Sequence, residues 1–277
     1  MFEPAQLPHL LEHIETIARR AGQEILHVYQ QDFSVSDKSD NTPVTEADIA
    51  AHRCIIEGLG DLSIQYPILS EESDDIPFET RRQWETYWLV DPLDGTKEFI
   101  KHNGEFSVNI ALIHQSRPVL GLVHAPVLKL TYRAAKDLGA YRTKDNQESI
   151  KISSVNVADP IRIAASRHHP SARMNQCLEY LGEHTIIPMG SSLKSCLVAE
   201  GKADLYPRLG LTSEWDTAAC QCVVEEAGGK VAQIDGSPLR YNTKESLLNP
   251  EFLVWGDSSF GWIELFKKVT ETGSRGR

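Results

Sequence analysis

Between Leu7 and Tyr29 the apolar positions Leu7, Leu10, Leu11, Ile14, Ile17, Ala18, Ala21, Ile25 and Leu26 recur at intervals of three and four. That spacing lines one face of a helix, and an amphipathic helix is predicted there. After a polar loop at Ser34 to Asn41, Thr45-Glu46-Ala47-Asp48 reads as a capping box opening a second helix to about Leu59. Pro67 to Ser70 and Tyr87 to Val90 are too brief for helices and are bounded by turn-forming or charged residues. They read as strands, and each runs into acidic residues. Phe106 to His114, Val119 to Ala125 and Lys129 to Ala134 are rich in β-branched residues, with breaks such as Ser116-Arg117-Pro118, which predicts an antiparallel meander.

Past Asp159-Pro160 strands and helices alternate: strand Ile161 to Ala165, helix Ala172 to Leu181, strand Thr185 to Pro188, helix Leu193 to Glu200, strand Asp204 to Pro207 and helix Thr217 to Ala227. Gly228-Gly229 closes that last helix as a C-cap, and Phe252 to Trp255 supplies a late strand before a final helix. No repeat, low-complexity tract or linker interrupts the chain. Residues 1–155 are therefore expected as an N-terminal half with a helix pair and an antiparallel sheet. Residues 156–277 are expected as a C-terminal half with a smaller mixed sheet, packed on the first half as one compact unit.

Charge changes the picture. Lys and Arg number 28 against 39 Asp and Glu, and the net charge of -11 repels nucleic-acid polymers and anionic headgroups. A small phosphorylated partner fits only if something local reverses the field, and bound divalent cations would do so. Hydrophobic residues at 41% and charged residues at 24% describe a globular chain. The five cysteines are scattered rather than arranged as a disulfide framework or zinc site, which suits a reducing compartment. No secretory signal or run of about 20 apolar residues is present, so no transmembrane segment is expected. The cytoplasm is the expected location, with peripheral contact at the inner membrane and the choice of monomer or homodimer left open. Gly273 to Arg277 reads as a frayed basic tail.

The densest chemistry lies in Trp88-Leu-Val-Asp91-Pro-Leu-Asp94-Gly-Thr96-Lys-Glu-Phe99, where an apolar strand leads into two carboxylates, a glycine and a hydroxyl. Pro92 stiffens the segment and Gly95 permits a sharp turn. A rigid turn is predicted, presenting Asp91 and Asp94 on one side with the Gly95 and Thr96 amides free to meet a phosphate. Plain helix capping is the competing reading, although it needs only one aspartate. Glu71-Glu72 ends the preceding strand and alone reads as a solvated pair. Asp216, in Glu214-Trp215-Asp216-Thr217-Ala218-Ala219, stands at a helix start, where it could simply serve the dipole. Together the three sites offer what hard divalent cations need, oxygen ligands on a rigid frame. Two such cations can polarise a phosphoryl group, activate water and stabilise a leaving alkoxide.

These three motifs, in this order and spacing, resemble those of the inositol monophosphatase superfamily of lithium-sensitive, magnesium-dependent phosphatases. Pro43 to Ala50, Tyr87 to Glu105 and Gly190 to Gly201 are similar to its bisphosphate nucleotidase branch, and the likeness runs from about Leu10 to Trp255. The resemblance implies an α+β fold, the layered α/β/α/β/α sandwich of the inositol monophosphatase and fructose-1,6-bisphosphatase type, with the metal site where the halves meet. It implies two or more Mg2+ ions, one held by Glu71, Asp91 and the Leu93 carbonyl, a second by Asp91, Asp94 and Asp216. Asp48, hydrogen-bonded to the Thr96 hydroxyl, would orient and deprotonate the attacking water, with Glu71 completing the catalytic group and Glu72 steadying a ligand. Glu71, Leu93, Asp94, Gly95, Thr96 and Asp216 would face the scissile phosphate. Lys194 and Arg208 would balance a second phosphate, although each reads equally well as an exposed solvated charge.

The implied reaction is hydrolysis of adenosine 3',5'-bisphosphate to AMP and phosphate, extending to its 5'-phosphosulfate analogue, to clear a by-product of sulfate assimilation. Inositol monophosphatase or sugar-bisphosphate phosphatase activity on the same scaffold is the nearest alternative. A phosphoaspartate mechanism fits less well, because two residues rather than one separate Asp91 from Asp94. A non-catalytic nucleotide or metal sensor is the alternative of another class, against which the intact set of acidic residues argues. His168-His169 reads as polar surface. Cys220 and Cys222 fall about 200° apart on a helix, which suits packing rather than joint metal binding.

Overall fold

The helical spacing of the first segment produces α1 over Leu7–Tyr29, after a short 3-10 turn at Pro4–Gln6. The computed structural model describes residues 2–31, 43–145, 147–167 and 172–274; the polar loop at 34–41, His168-His169 and residues 275–277 lie outside these. Helix α2 spans Pro43–Gly60 and packs along α1. It opens two residues before Thr45, so the capping box expected at Thr45 to Asp48 is corrected: those residues lie inside the helix. Proline suits the first helical position, where its missing N–H has no partner to lose.

The larger sheet has seven strands in chain order: β1 (Ile68–Ser70), β2 (Thr86–Asp94), β3 (Ser107–His114), β4 (Arg117–Ala125), β5 (Leu130–Ala135), β6 (Gly139–Lys144) and β7 (Ile150–Ile152). From β2 onward it is the antiparallel meander, but β1 lies parallel to β2 because the chain crosses back through α3 (Phe78–Arg81). A short helix α4 (Thr96–Ile100) follows β2.

The second sheet runs β11 (Lys230–Gln233), β12 (Phe252–Trp255), β10 (Leu205–Arg208), β8 (Ile161–Ala165), β9 (His184–Pro188). It is mixed: β8, β9 and β10 are parallel and β12 runs against both its neighbours. The remaining helices are α5 (Ala172–Leu181), α6 (Leu193–Ala199), α7 (Glu214–Glu226) and α8 (Trp262–Ser274). Gly228, at φ +90°, ends α7, and the Gly229 N–H closes the turn onto the Val224 carbonyl at 2.9 Å.

Period-two alternation sorts β2 between two cores. Trp88 and Val90 join Ile14, Ile25 and Ile55 under α1 and α2, while Tyr87 and Leu89 face Val198, Val223 and Val254 in the core shared by α6, α7 and the second sheet. The outer face of that second sheet buries Leu205, Leu253 and Trp255 against Trp262 and Phe266 of α8. Helices, sheet, helices, sheet and helices therefore stack as an α/β/α/β/α sandwich. Because both faces of β2 to β4 are covered, each large side chain there contributes about 1.5–3 kcal/mol by burial. One close approach fixes the middle layer: a Cβ at Gly121 of β4 would lie 2.2 Å from the Ala219 carbonyl oxygen of α7. Among the described residues no helix is long and apolar enough to cross a membrane.

Candidate active site

Strand β2 pairs regularly with β3 as far as Asp91 opposite Asn109, and then Asp94 stands opposite Ser107. Three steps on β2 match two on β3, a β-bulge. An ordinary strand puts residues three apart on opposite faces, so the extra residue returns Asp91 and Asp94 to the same face. The rigid turn expected here is thus a bulged strand end, braced by the Leu93 N–H donating to Asp91 Oδ1 at 3.0 Å. Leu93 itself sits in the bulge with its side chain in the core under α1 and α2. The chain turns only at Gly95, whose φ of +99° would strain any other residue type.

Two other elements deliver carboxylates to the same place. Parallel pairing of Ser70 with Val90, and the Glu71 N–H bonded to the Val90 carbonyl at 3.1 Å, set Glu71 beside Asp91. Asp216 lies in the first turn of α7, where its Oδ2 accepts the Ser213 N–H at 2.8 Å; the capping box is here, not at Thr45. Oxygens of Glu71, Asp91 and Asp216 all lie within 4.8 Å of one another.

Burial, and then mutual repulsion, push these carboxyls upward. Asp91 is raised well above the usual range by burial and by Asp94, Glu71, Asp216 and Asp48. Burial and Asp94 raise Asp216 to about 7, and Glu71 shifts the same way. Asp48, in α2, is pushed to about 8 by burial and by Glu72 and Glu71. Among the described residues no Lys or Arg makes an ion pair with Glu71, Asp91, Asp94 or Asp216. A set of converging oxygens with uncompensated charge fits a hard divalent cation.

The remaining expected residues fall out unevenly. Asp94 lies close enough to raise its neighbours, yet its Oδ2 is occupied by the Ser192 N–H at 2.6 Å, the Ser192 hydroxyl at 2.7 Å and the Asn109 amide at 3.4 Å. Asp48 and Thr96 are not hydrogen-bonded to each other: Asp48 Oδ1 is buried without a partner, while Thr96 is exposed at the start of α4. Glu72 is exposed beside Asp48, within reach of a proton held there.

A cavity of about 520 Å³ opens next to the carboxylates, bounded by Gly95 and Thr96 on one side and Lys194, Tyr206 and Arg208 on the other. Lys194 is buried rather than exposed, its Nζ donating to the Ser191 carbonyl at 2.6 Å and lying 5.4 Å over the Tyr206 ring. Burial lowers its pKa. Arg208, the last residue of β10, is half-buried, donating to the Leu211 carbonyl at 2.6 Å with Nε buried and unpartnered. Cys220 lines this cavity, whereas the Cys222 thiol points to the Ala134 carbonyl of the larger sheet, so the two face apart.

Residues 6–260 match the inositol monophosphatase family. The chain belongs to that family. It is 49% identical over 247 residues to the 3'(2'),5'-bisphosphate nucleotidase CysQ of Shigella flexneri, covering 88% of this chain and 99% of the relative. The enzyme of that name from Escherichia coli K12 is 48% identical over the same span. The crystal structure of CysQ from Bacteroides thetaiotaomicron superposes with a TM-score of 0.82 at 41% identity, covering 90% of this chain and 97% of that one. An inositol monophosphatase from Zymomonas mobilis, 24% identical, shares the fold at a TM-score of 0.75 over 95% of this chain and 98% of that one.

Within this family fold, three site residues escaped the sequence. Ser192 and Asn109 hold Asp94, and Asn109 also donates to Ser192 Oγ at 2.8 Å. Glu105, buried at the entry to β3, accepts the Gly190 N–H at 2.9 Å and the Arg167 guanidinium, fixing the loop that carries Ser192. Nothing local marks these polar residues as a group, since the contacts that join them lie far apart in sequence: Ser192 to Asp94 spans 98 residues, Asn109 to Ser192 spans 83 and Glu105 to Gly190 spans 85.

Proposed function

We propose that this chain is a magnesium-dependent 3'(2'),5'-bisphosphate nucleotidase that hydrolyses adenosine 3',5'-bisphosphate to AMP and phosphate. The convergence of Glu71, Asp91 and Asp216 beside a cavity walled by Lys194 and Arg208 carries this reading. The 48–49% identity to bisphosphate nucleotidases over nearly their whole length supports the choice of substrate.

Glu71, Asp91, Asp216, the nearby Asp94 and the main chain of Leu93 would hold Mg2+. Two such ions supply Lewis-acid polarisation of the phosphoryl oxygens and charge neutralisation. The chain's own groups do the rest. Gly95 and Thr96 line the cavity at the start of α4, and their main-chain N–H groups would orient the scissile phosphate. Asp48 is the proton acceptor: its raised pKa suits a base acting near neutral pH, and its buried Oδ1 makes no hydrogen bond within the protein. Lys194, with no carboxylate ion-pair partner among the described residues, neutralises the second phosphate together with Arg208. α7 and β10 wall one side of the cavity, and the lower dielectric beside them strengthens each of these contacts. The five unpaired thiols suit a reducing cytoplasm.

Phosphate release should be measured with Mg2+ from adenosine 3',5'-bisphosphate, inositol 1-phosphate and fructose 1,6-bisphosphate, with wild type and Asp94→Asn in parallel. Preference for the nucleotide, lost in the variant, is the expected result. Preference for either other substrate would keep the metal chemistry and remove the nucleotidase assignment.

A further inference from the structure

The carboxylates of Glu71 and Asp216 come from segments separated by more than half the chain, and like charge pushes them apart. Something must hold the two arms together before a cation arrives. The connection that begins at Glu71 ends in α3, and α7 begins two residues before Asp216; one buried residue, Asn242, ties these together.

Its amide Oδ1 accepts Arg81 Nη1 of α3 at 2.6 Å, and its Nδ2 donates to the Arg81 carbonyl at 2.5 Å. Its main-chain N–H donates to Glu214 Oε2, in the first turn of α7, at 2.7 Å. Arg81 adds bonds to the carbonyls of Lys244, at 3.2 Å, and Glu245. Glu214 and Arg81 are both buried: the Arg81 guanidinium finds its acceptors in this junction, while Glu214 is held by the Asn242 N–H together with Lys244 Nζ, 3.4 Å from its other oxygen. Asn242 also sits at φ +56°, the left-handed region that asparagine tolerates better than most residues. Its conformation and both ends of its side chain are therefore used.

We infer that Asn242 is a positioning residue for the metal centre: through Arg81 and Glu214 it sets the spacing of the Glu71 arm against the Asp216 helix, and so the affinity for Mg2+. This rests on the Mg2+-dependent reading above. A residue that only stabilised the fold would lower the melting temperature without changing the Mg2+ concentration that half-saturates the protein.

The test is thermal melting across a Mg2+ titration, with no substrate present. Asn242→Gly keeps the left-handed backbone and the main-chain N–H while removing the side chain. It should raise the half-saturating Mg2+ concentration by about tenfold, the lower end for groups that orient metal ligands. Ile14→Val, a core change under the larger sheet, is the control: its melting temperature should fall with the Mg2+ midpoint unmoved. If Asn242→Gly does not fold, Asn242→Asp keeps the acceptor for Arg81 but loses the donor, and a smaller shift in the same direction is expected. An unchanged midpoint in whichever variant folds overturns the inference. A wild type with no Mg2+ response overturns the metal-dependent reading instead.

Discussion

Ser192 reaches Asp94 twice, its main-chain N–H and its hydroxyl lying 2.6 and 2.7 Å from the same carboxylate oxygen. The hydroxyl also lies 2.7 Å from the Asp216 carbonyl, so one small side chain in the loop before α6 touches both the strand and the helix that carry the acidic cluster. Hydrogen bonds to charged groups contribute about 1.5–3 kcal/mol. Ser192→Ala should therefore lower kcat/KM by roughly 10- to 100-fold, with far-ultraviolet circular dichroism unchanged, and Ser192→Thr should recover part of the loss. Full activity in the alanine variant would remove Ser192 from the site.

Asp91 is 1% exposed and surrounded by four other carboxyls. Replacing it by asparagine removes an ionisable group whose charged form is costly in the absence of a cation. The metal-free melting temperature of Asp91→Asn should rise by a few degrees, while Mg2+ should no longer shift it and phosphate release should be abolished.

The raised carboxyls make stability depend on pH in a definite direction. With folded pKa values of about 8 for Asp48 and about 7 for Asp216, both above the unfolded value near 3.8, the folded chain binds more protons than the unfolded one across that interval. Stability from these groups is fully present below about pH 4 and is lost as pH rises through 7 to 8. Mg2+ competes with those protons. The Mg2+-induced rise in melting temperature should be larger at pH 8 than at pH 6, and equal shifts at both would contradict the assigned shifts.

His124 acts with the opposite sign. It is buried in β4 with a 3.0 Å bond to Thr131 Oγ1, and burial, then the Arg19 charge, depress it to about 4. Its folded pKa lies below the unfolded value near 6.5, so its contribution is present above 6.5 and disappears as pH falls towards 4. That amounts to about 3 kcal/mol. Urea denaturation of His124→Gln between pH 7 and 4 should show a flatter decline than wild type.

Lys194 is buried beside Tyr206 with no carboxylate ion-pair partner among the described residues. Lys194→Gln should lower kcat/KM for adenosine 3',5'-bisphosphate by about 10- to 100-fold through KM, in keeping with loss of a charge-assisted bond, and affect a simple monoester much less. Equal losses on both substrates would assign Lys194 to folding rather than to recognition.

The sequence carried the acidic motifs and most element boundaries, because Leu7 to Tyr29, Ile161 to Ala165 and Phe252 to Trp255 have strong periodicity or unbroken apolar character. It did not reveal β6, Gly-Ala-Tyr-Arg-Thr-Lys, whose polar residues become strand only because β5 and β7 flank it. The bulge between Asp91 and Asp94 was likewise hidden, since a bulge is a property of the partner strand as much as of the residues in it. Lys194 read as evenly poised between surface and site, and the tertiary packing of Tyr206 decided its burial. The Asp48 to Thr96 contact, inferred from resemblance rather than from local pattern, is absent from the structure.

At Gly121 the larger sheet has a notch one side chain deep, into which the Ala219 carbonyl of α7 descends. Asp216 lies one helical turn before Ala219, so the notch works as a depth stop for the helix that completes the acidic cluster. A single methyl group on the far side of the sheet from α1 would shim that helix outward and carry Asp216 away from Glu71 and Asp91, detuning the centre without altering any residue in it.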